Sequence, residues 1–161
     1  MHTENENEVL SYLIDQFILL LNNLQLYDEW ENRVIVVGGS FGEDVALKYG
    51  FYACQNNRFF KKAKYLAFAY DNHIKKLFEI VGGPDNDIDL RQEKKIPASY
   101  FVDKEPFYNN DKRELFWLKK IKNLDILNDT KDKRGRRSAF TQRQTYTTYD
   151  KITTAKLTSE L

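Results

Sequence analysis

The most constraining feature of this sequence is a pair of apolar stretches separated by a short polar turn. Tyr65–Tyr70 and Ile74–Val81 flank Asp71-Asn72-His73. Two such runs joined by so few polar residues predict an antiparallel β-hairpin. This is the clearest secondary-structure signal in the chain, and it puts β structure near the middle of the sequence.

Shorter apolar runs predict further strands on both sides of the hairpin. The candidates are residues 33–37, 49–54, 100–102, 115–121 and 124–127. The first of these ends at Gly38-Gly39-Ser40-Phe41-Gly42. This segment lacks the Lys-Ser/Thr of a P-loop, so it is interpreted as a plain turn. A ligand-lining loop is the alternative. Residues 85–98 are polar and are expected to form a surface loop. Aromatic residues make up 14% of the chain, which favours a β-rich body.

Helices are predicted at both ends. Residues 6–24 carry apolar side chains at spacings of three and four, as one helical face requires: Leu10, Leu13, Ile14, Phe17, Leu20, Leu21 and Leu24. We expect this stripe to pack on a body formed by residues 33–161; a dimer seam or another protein-interaction surface is the alternative. Near the other end, Thr148 can cap a short C-terminal helix in which Tyr149, Ile152 and Ala155 share a face.

Length and composition predict one α+β domain over residues 1–161. The chain is 42% hydrophobic and 30% charged, which is typical of neither a disordered nor a membrane protein. It has a single cysteine, Cys54, and the apolar run Phe17–Leu21 is short and preceded by acids, unlike a secretory signal. We therefore expect a cytoplasmic protein that does not enter a membrane and is a monomer or a weak dimer.

Positive charge is concentrated in one segment. Residues 131–143 hold one acid, Asp132, and six bases: Lys131, Lys133, Arg134, Arg136, Arg137 and Arg143. That net +5 leaves −4 for the rest of a chain whose total is +1. Aromatic and amide side chains, among them Phe140, Gln142 and Tyr146, lie within or just after this segment. Such interleaving is typical of surfaces that neutralise phosphates and stack on bases, so these six bases are the predicted nucleic-acid contacts; a solvated loop is the alternative.

The residues needed for common catalytic centres are scarce. With one cysteine and two histidines, His2 and His73, the chain offers no zinc site and no convincing Ser-His or Cys-His pair. Cys54 lies in an apolar run and is predicted to be a buried structural thiol. We therefore predict no catalytic residue, no metal and no cofactor, and favour recognition over reaction.

An acidic segment leaves an enzymatic alternative open. Asp85, Asp87 and Asp89 resemble the paired carboxylates with which minimal nucleotidyltransferases hold Mg²⁺, and a nuclease set could be drawn from Asp89, Glu93 and Lys95. The flanking residues do not provide the strand context of either family. A solvated loop is the default interpretation of this segment.

The order of elements from residue 33 onward resembles the PUA-like superfamily, which includes EVE, ASCH and YTH domains. The resemblance rests on four stretches: Val34–Gly42, Tyr49–Cys54, the hairpin Lys64–Tyr70 with Ile74–Ile80, and Leu115–Leu118. It implies a small, bent, partly open β-barrel with flanking helices that binds RNA, or DNA carrying a modified base.

A pocket for one flipped base would combine aromatic walls with polar side chains that read the base. The aromatic candidates are Phe41, Tyr52, Trp117 and Tyr146, and the polar candidates are Ser40 and Arg58. The leading hypothesis is thus a nucleic-acid or nucleotide binding module, RNA or DNA undetermined, that can recognise a modified base. A metal-dependent enzyme using Asp85, Asp87 and Asp89 is the second hypothesis.

Overall fold

The fold is a mixed α+β arrangement around one six-stranded sheet. The computed structural model describes residues 3–59, 61–102, 112–130 and 145–161. Its helices are α1 (Thr3–Asn32), α2 (Ser40–Tyr49) and α3 (Tyr149–Thr154), with 3₁₀ turns at Leu90–Gln92, Ala98–Phe101 and Thr158–Glu160. Its strands are β1 (Arg33–Gly38), β2 (Phe51–Cys54), β3 (Tyr65–Tyr70), β4 (His73–Ile88), β5 (Arg113–Leu127) and β6 (Thr145–Thr148). The α+β class is confirmed.

The strands follow the order β2-β5-β4-β3-β1-β6, with β2 and β6 at the edges. The β1–β3 pair is parallel and every other pair is antiparallel. The predicted hairpin is β3–β4, and Asp71 and Asn72 both have positive φ (49° and 60°), as a two-residue turn matching the right-handed strand twist requires. Within the described residues the sheet is not closed into a barrel.

The long strands β4 and β5 bend because their pairing is repeatedly interrupted. Their register shifts at five places along the ladder, and each extra residue adds local twist and curvature. Gly83 lies at one of these shifts with φ +86°, and a Cβ on it would stand 2.3 Å from the Leu115 carbonyl oxygen, so only glycine fits. The expectation of a loop over 85–98 is wrong at its start, since β4 continues to Ile88.

Alternating side chains of the sheet form cores on both of its faces. The inner cluster, in the hollow of the bend, contains Ile35, Val37, Tyr52, Leu66, Phe68, Phe78 and Phe116. The opposite face packs against α3 through Val34, Val36, Ala67, Ile74, Leu77, Ile126 and Ile152. β1 is therefore apolar on both sides, which explains why its sequence is a continuous β-branched run. A third cluster joins Phe51 and Leu115 to Leu90, Ile96, Tyr100 and Phe101.

The 3₁₀ turn Ala98–Phe101 occupies the place of the strand expected over 100–102. Tyr100 and Phe101 have strand-type side chains, yet here the Tyr100 ring packs on Phe51, with ring centroids 5.0 Å apart. The Phe101 ring in turn packs on Tyr100, with ring centroids 4.9 Å apart. Local β propensity is outweighed by packing of these rings into the third cluster. The predicted C-terminal helix is confirmed, and the Thr148 hydroxyl accepts a hydrogen bond from the Lys151 N–H at 3.3 Å.

Helix α1 is longer than the predicted 6–24, and its apolar stripe is half exposed. Its large apolar side chains between Val9 and Leu24 are 48–63% exposed. At its C-terminal end Glu29 pairs with Arg33 and Glu31 with Lys64, which ties that end to the sheet. The expectation that the stripe packs on residues 33–161 stays a prediction. No helix among the described residues is long and apolar enough to cross a membrane.

Candidate ligand-binding cleft

A cleft of about 680 Å³ opens beside the bulged part of the β4–β5 ladder. Its walls are formed by the end of α1, by β1, by the connection between β2 and β3, by the bulged part of β4 and by the start of β5. Its size falls within the ~300–1,000 Å³ range usual for small-ligand pockets. The bend therefore creates a concave site that a flat sheet would lack.

Among the described residues, three aromatic side chains line the cleft: Trp30, Phe59 and Phe116. Phe59 meets Phe116 edge to face, with ring centroids 5.6 Å apart. The Arg58 guanidinium lies 5.6 Å from the Phe59 ring centroid. Because Phe116 belongs to the buried inner cluster, the cleft has one wall anchored in the core and one on the β2–β3 connection.

Glu114 is the buried acid of the cleft. It is only 3% exposed and stands opposite Cys54 in the β2–β5 ladder, whose Sγ donates to Glu114 Oε1 at 3.7 Å. Burial raises the pKa of Glu114, and hydrogen bonds from the Cys54 thiol and the Asn57 backbone N–H oppose that rise. A carboxyl group in this setting is suited to hydrogen bonding a ligand in a site with little competing water.

Cys54 is the hydrogen-bond partner of Glu114 and is not suited to act as a nucleophile. It is buried, as predicted, and its pKa is raised to about 12 by burial and by the neighbouring Glu114 carboxylate. The thiol is therefore protonated at neutral pH and serves as a hydrogen-bond donor.

The connection that carries Asn57 and Phe59 is fixed to the end of β4. Asn56 Nδ2 donates to Asp87 Oδ1 at 2.9 Å, and the Asp87 N–H donates to Asn56 Oδ1 at 3.0 Å. Asn57 (φ 57°) and Asp87 (φ 59°) both have left-handed backbones, which these paired hydrogen bonds help to hold. Asn57 and Asn86 both line the cleft and supply amide groups near Glu114.

Two of the six predicted pocket residues meet each other, but behind the cleft. Arg58 Nη1 donates to the Tyr52 hydroxyl at 2.8 Å. Burial raises the pKa of Tyr52 to about 12, against the opposing charge of Arg58. Both residues support the wall that Phe59 and Phe116 form, and neither lines the cleft.

The other four predicted pocket residues are dispersed. Ser40 and Phe41 are exposed at the start of α2, while Trp117 points to the opposite face, where Lys95 Nζ lies 5.2 Å from its ring centroid. Tyr146 on β6 accepts a hydrogen bond from the Lys61 N–H at 3.3 Å, which places it beside a cleft residue. The predicted six-residue pocket stays a prediction.

The glycine-rich turn forms a strand-to-helix junction. Helix α2 begins at Ser40, and its first-turn acid Glu43 is fully buried. The neighbouring Glu43 carboxylate, together with burial, raises the pKa of Tyr70 to about 12, although neither carboxylate oxygen meets hydrogen-bond geometry. An acid in the first turn suits the helix dipole. This junction does not line the cleft.

The predicted acidic site does not assemble. Asp87 is engaged with Asn56, and the Asp89 carboxylate accepts the Arg91 N–H at 3.0 Å. Among the described residues there is no group of three or more His, Cys, Asp or Glu that could hold a metal ion. The six predicted phosphate-binding bases, Lys131, Lys133, Arg134, Arg136, Arg137 and Arg143, lie outside the described residues.

Sequence reasoning missed the aromatic and polar residues that do line the cleft. Phe116 adjoins the predicted Trp117, and Asn57 and Phe59 flank the predicted Arg58. The strand residues Leu115, Phe116 and Trp117 offered a usable signal, because consecutive side chains of a β-strand point to opposite faces of the sheet. Phe116 and Trp117 therefore cannot face the same side. No protein-family model, curated protein or solved structure matched this chain.

Proposed function

We propose that this chain is a nucleic-acid binding module that takes one unstacked base into the cleft at the bend of the sheet. A PUA-like relationship is part of this proposal, supported by the bent sheet with helices beside it. Recognition of a modified base is the finer form of the same proposal. RNA and DNA share the chemistry involved, and binding measurements decide between them.

The observation that carries the proposal is the meeting of aromatic rings with a buried carboxyl group in one cleft. Proteins that bind a single base stack its face on aromatic side chains and hydrogen bond its Watson–Crick edge. Phe59, Phe116 and Trp30 offer the stacking surfaces. Glu114, with the neighbouring amides of Asn57 and Asn86, offers the polar groups at the same place.

Basic residues near the cleft suit the phosphates that flank such a base. Lys61 and Lys62 belong to its wall. The sequence adds the +5 segment 131–143 shortly before β6, whose Tyr146 contacts Lys61. Lys and Arg contacts of this kind bring affinity without sequence specificity and weaken as salt concentration rises.

The test is fluorescence anisotropy with short single-stranded RNA and DNA oligonucleotides, each at several salt concentrations. We expect binding whose affinity falls with salt, and a loss of about five- to 150-fold in Phe59→Ala, because stacking on one aromatic ring contributes ~1–3 kcal/mol. Phe41→Ala is the matched control, since Phe41 is an exposed aromatic residue that does not line the cleft. Glu114→Gln tests whether the carboxyl group hydrogen bonds the edge of the base, because glutamine has nearly the same shape as glutamate.

Three outcomes separate the parts of the proposal. Equal losses in Phe59→Ala and Phe41→Ala would remove the cleft as the base site while leaving nucleic-acid binding intact. Unchanged binding when Arg134, Arg136 and Arg137 become Ala would remove the basic segment from the interface. Absence of binding at any low salt concentration would overturn the function itself. A panel of oligonucleotides with modified bases then tests preference for a modification.

A further inference from the structure

A stacking ring and a hydrogen-bonding group stand side by side on β5. Glu114 and Phe116 are two residues apart in this strand, so their side chains project from the same face of the sheet, about 7 Å apart along it. Both line the cleft, and Phe59 adds its ring from the β2–β3 connection. A base is held by its face on aromatic rings and is identified by hydrogen bonds to its edge. In this cleft Glu114 is the group suited to the second task.

The Glu114 carboxylate has acceptor positions left for a ligand. An ionised carboxylate accepts about four hydrogen bonds and donates none. Within the described residues, the Cys54 thiol and the Asn57 backbone N–H donate to it, and both come from β2 and the connection that follows it. Glu114 lines the cleft although it is only 3% exposed. Because so little water reaches this carboxylate, N–H donors of a bound ligand would supply the hydrogen bonds that the protein leaves open.

The edge of guanine matches a group that has acceptors alone. Its ring N1–H and its 2-amino group are adjacent donors, so one carboxylate can accept from both in parallel. Adenine and cytosine place a single amino donor beside a ring nitrogen that is an acceptor. Uracil and thymine place one N–H between two carbonyl oxygens. Against a carboxylate, each of these other bases leaves acceptors facing each other in a site with little water, which is costly.

The remaining group on the guanine edge, the O6 carbonyl, requires a donor. Asn57, Asn86, Lys61 and Lys62 all line the cleft and carry N–H donors in their side chains. The cleft thus combines one buried acceptor group with several donors nearby. The edge of guanine is the complement, because it combines two donors with one acceptor.

We propose that the base taken into this cleft is guanine, with its N1–H and its 2-amino N–H both donating to the Glu114 carboxylate. This inference rests on the proposed function and adds the identity of the base to it. It also limits which modified bases fit. A modification at N7 leaves the recognised edge of guanine intact, whereas one at N1 or on the 2-amino group removes it.

The experiment measures fluorescence anisotropy of the full chain with short strands, all uracil in RNA or all thymine in DNA, that differ only in one central base. Guanine is expected to bind about five- to 150-fold more tightly than adenine, the range for one bidentate base contact. Hypoxanthine, which lacks the 2-amino group, should lose part of this preference, and 1-methylguanine, which lacks the N1–H, should lose it all. The matched control is 7-deazaguanine, which keeps the recognised edge and should bind as guanine does.

Two variants separate hydrogen bonding of the edge from stacking of the face. Glu114→Gln replaces one acceptor oxygen by an NH₂ donor, an arrangement that pairs with the donor and acceptor of adenine. This variant should lose the preference for guanine while keeping its affinity for the adenine strand. Phe59→Ala should weaken binding of the guanine and adenine strands by the same factor, because stacking depends little on the base. The modified bases are measured on the unaltered protein, so they decide the proposal independently of how well either variant folds.

The outcomes distinguish this inference from the proposed function. Equal affinity for the guanine and adenine strands would overturn the inference and leave the proposed function standing. Binding of 1-methylguanine as tight as that of guanine, or a guanine preference that survives in Glu114→Gln, would show that another group identifies the base and would overturn the inference as well. Absence of binding to every strand at low salt would overturn the proposed function and this inference together.

Discussion

Tyr52 on β2 and Phe68 on β3 meet edge to face with ring centroids 5.5 Å apart, although two other strands lie between β2 and β3 in the sheet. In a flat sheet the same strands would be about 14 Å apart. The contact therefore measures how strongly the sheet curls around its inner cluster. Helix α2 packs over these two rings at Gly42, where a Cβ would lie 2.7 Å from Phe68 Cε1 and 3.5 Å from Tyr52 Cε2.

Gly42→Ala is expected to destabilise the protein by about 1–3 kcal/mol, because the added methyl group overpacks a buried ring that has no room to move. Glycine to alanine within a helix ordinarily stabilises by ~0.5–1 kcal/mol, so the expected sign is reversed by the contact with Phe68. Denaturant unfolding measures the change. Ser40→Ala, at an exposed position of the same helix, serves as the control and should alter the free energy of unfolding by less than about 0.5 kcal/mol. A Gly42→Ala variant as stable as the parent would contradict the close packing of α2.

Glu114 is expected to make the stability depend on pH. Its pKa is raised by burial above the ordinary value of 4.5, so its contribution is fully present below that value and is lost as pH rises through the higher folded-state pKa. Glu114→Gln cannot ionise and should lack this contribution. The difference in unfolding free energy between parent and variant, measured from pH 4 to pH 8, should therefore shift in favour of the variant as pH rises. A difference that is constant with pH would show that Glu114 ionises normally.

Cys54 should resist thiol reagents in the folded protein. It is 4% exposed and its pKa is raised to about 12, so little thiolate is present or accessible at pH 8. Reaction with a colorimetric disulfide reagent should be slow in buffer and fast in guanidinium chloride, with one thiol released per chain because Cys54 is the single cysteine. Rapid reaction of the native protein would contradict the burial of this thiol.

The paired hydrogen bonds between Asn56 and Asp87 should hold the connection that carries Phe59. Asn56→Ala removes both bonds and is expected to cost about 1 kcal/mol of stability, since neither group is deeply buried and water replaces part of the loss. Asp85→Ala is the control, as Asp85 is an exposed acid two residues earlier on the same strand. Hydrogen exchange of amides in residues 55–59 should accelerate in Asn56→Ala and not in Asp85→Ala. Equal exchange in both would show that other contacts hold the connection.

Local patterns determined much of the secondary structure of this protein. The hairpin about Asp71-Asn72, the β-branched strand β1, the helix capped by Thr148 and the burial of Cys54 all follow from residue type and spacing over a few positions. In each case the preference is local, because turn geometry, side-chain branching or a capping hydroxyl acts within one turn of chain. The prediction of a strand over residues 100–102 was wrong, because packing of Tyr100 and Phe101 outweighed their local β propensity.

The cleft was decided by tertiary structure alone. Its walls come from five separate parts of the chain between Trp30 and Phe116, and they meet only because repeated register shifts bend β4 and β5. Register shifts depend on pairing between strands that are distant in sequence. The sequence alone therefore did not show that Phe116, rather than the predicted Trp117, faces the cleft. The apolar stripe of α1 shows the complementary case. Its spacing and its acids are written in the sequence, whereas its exposure to solvent is a property of the folded chain.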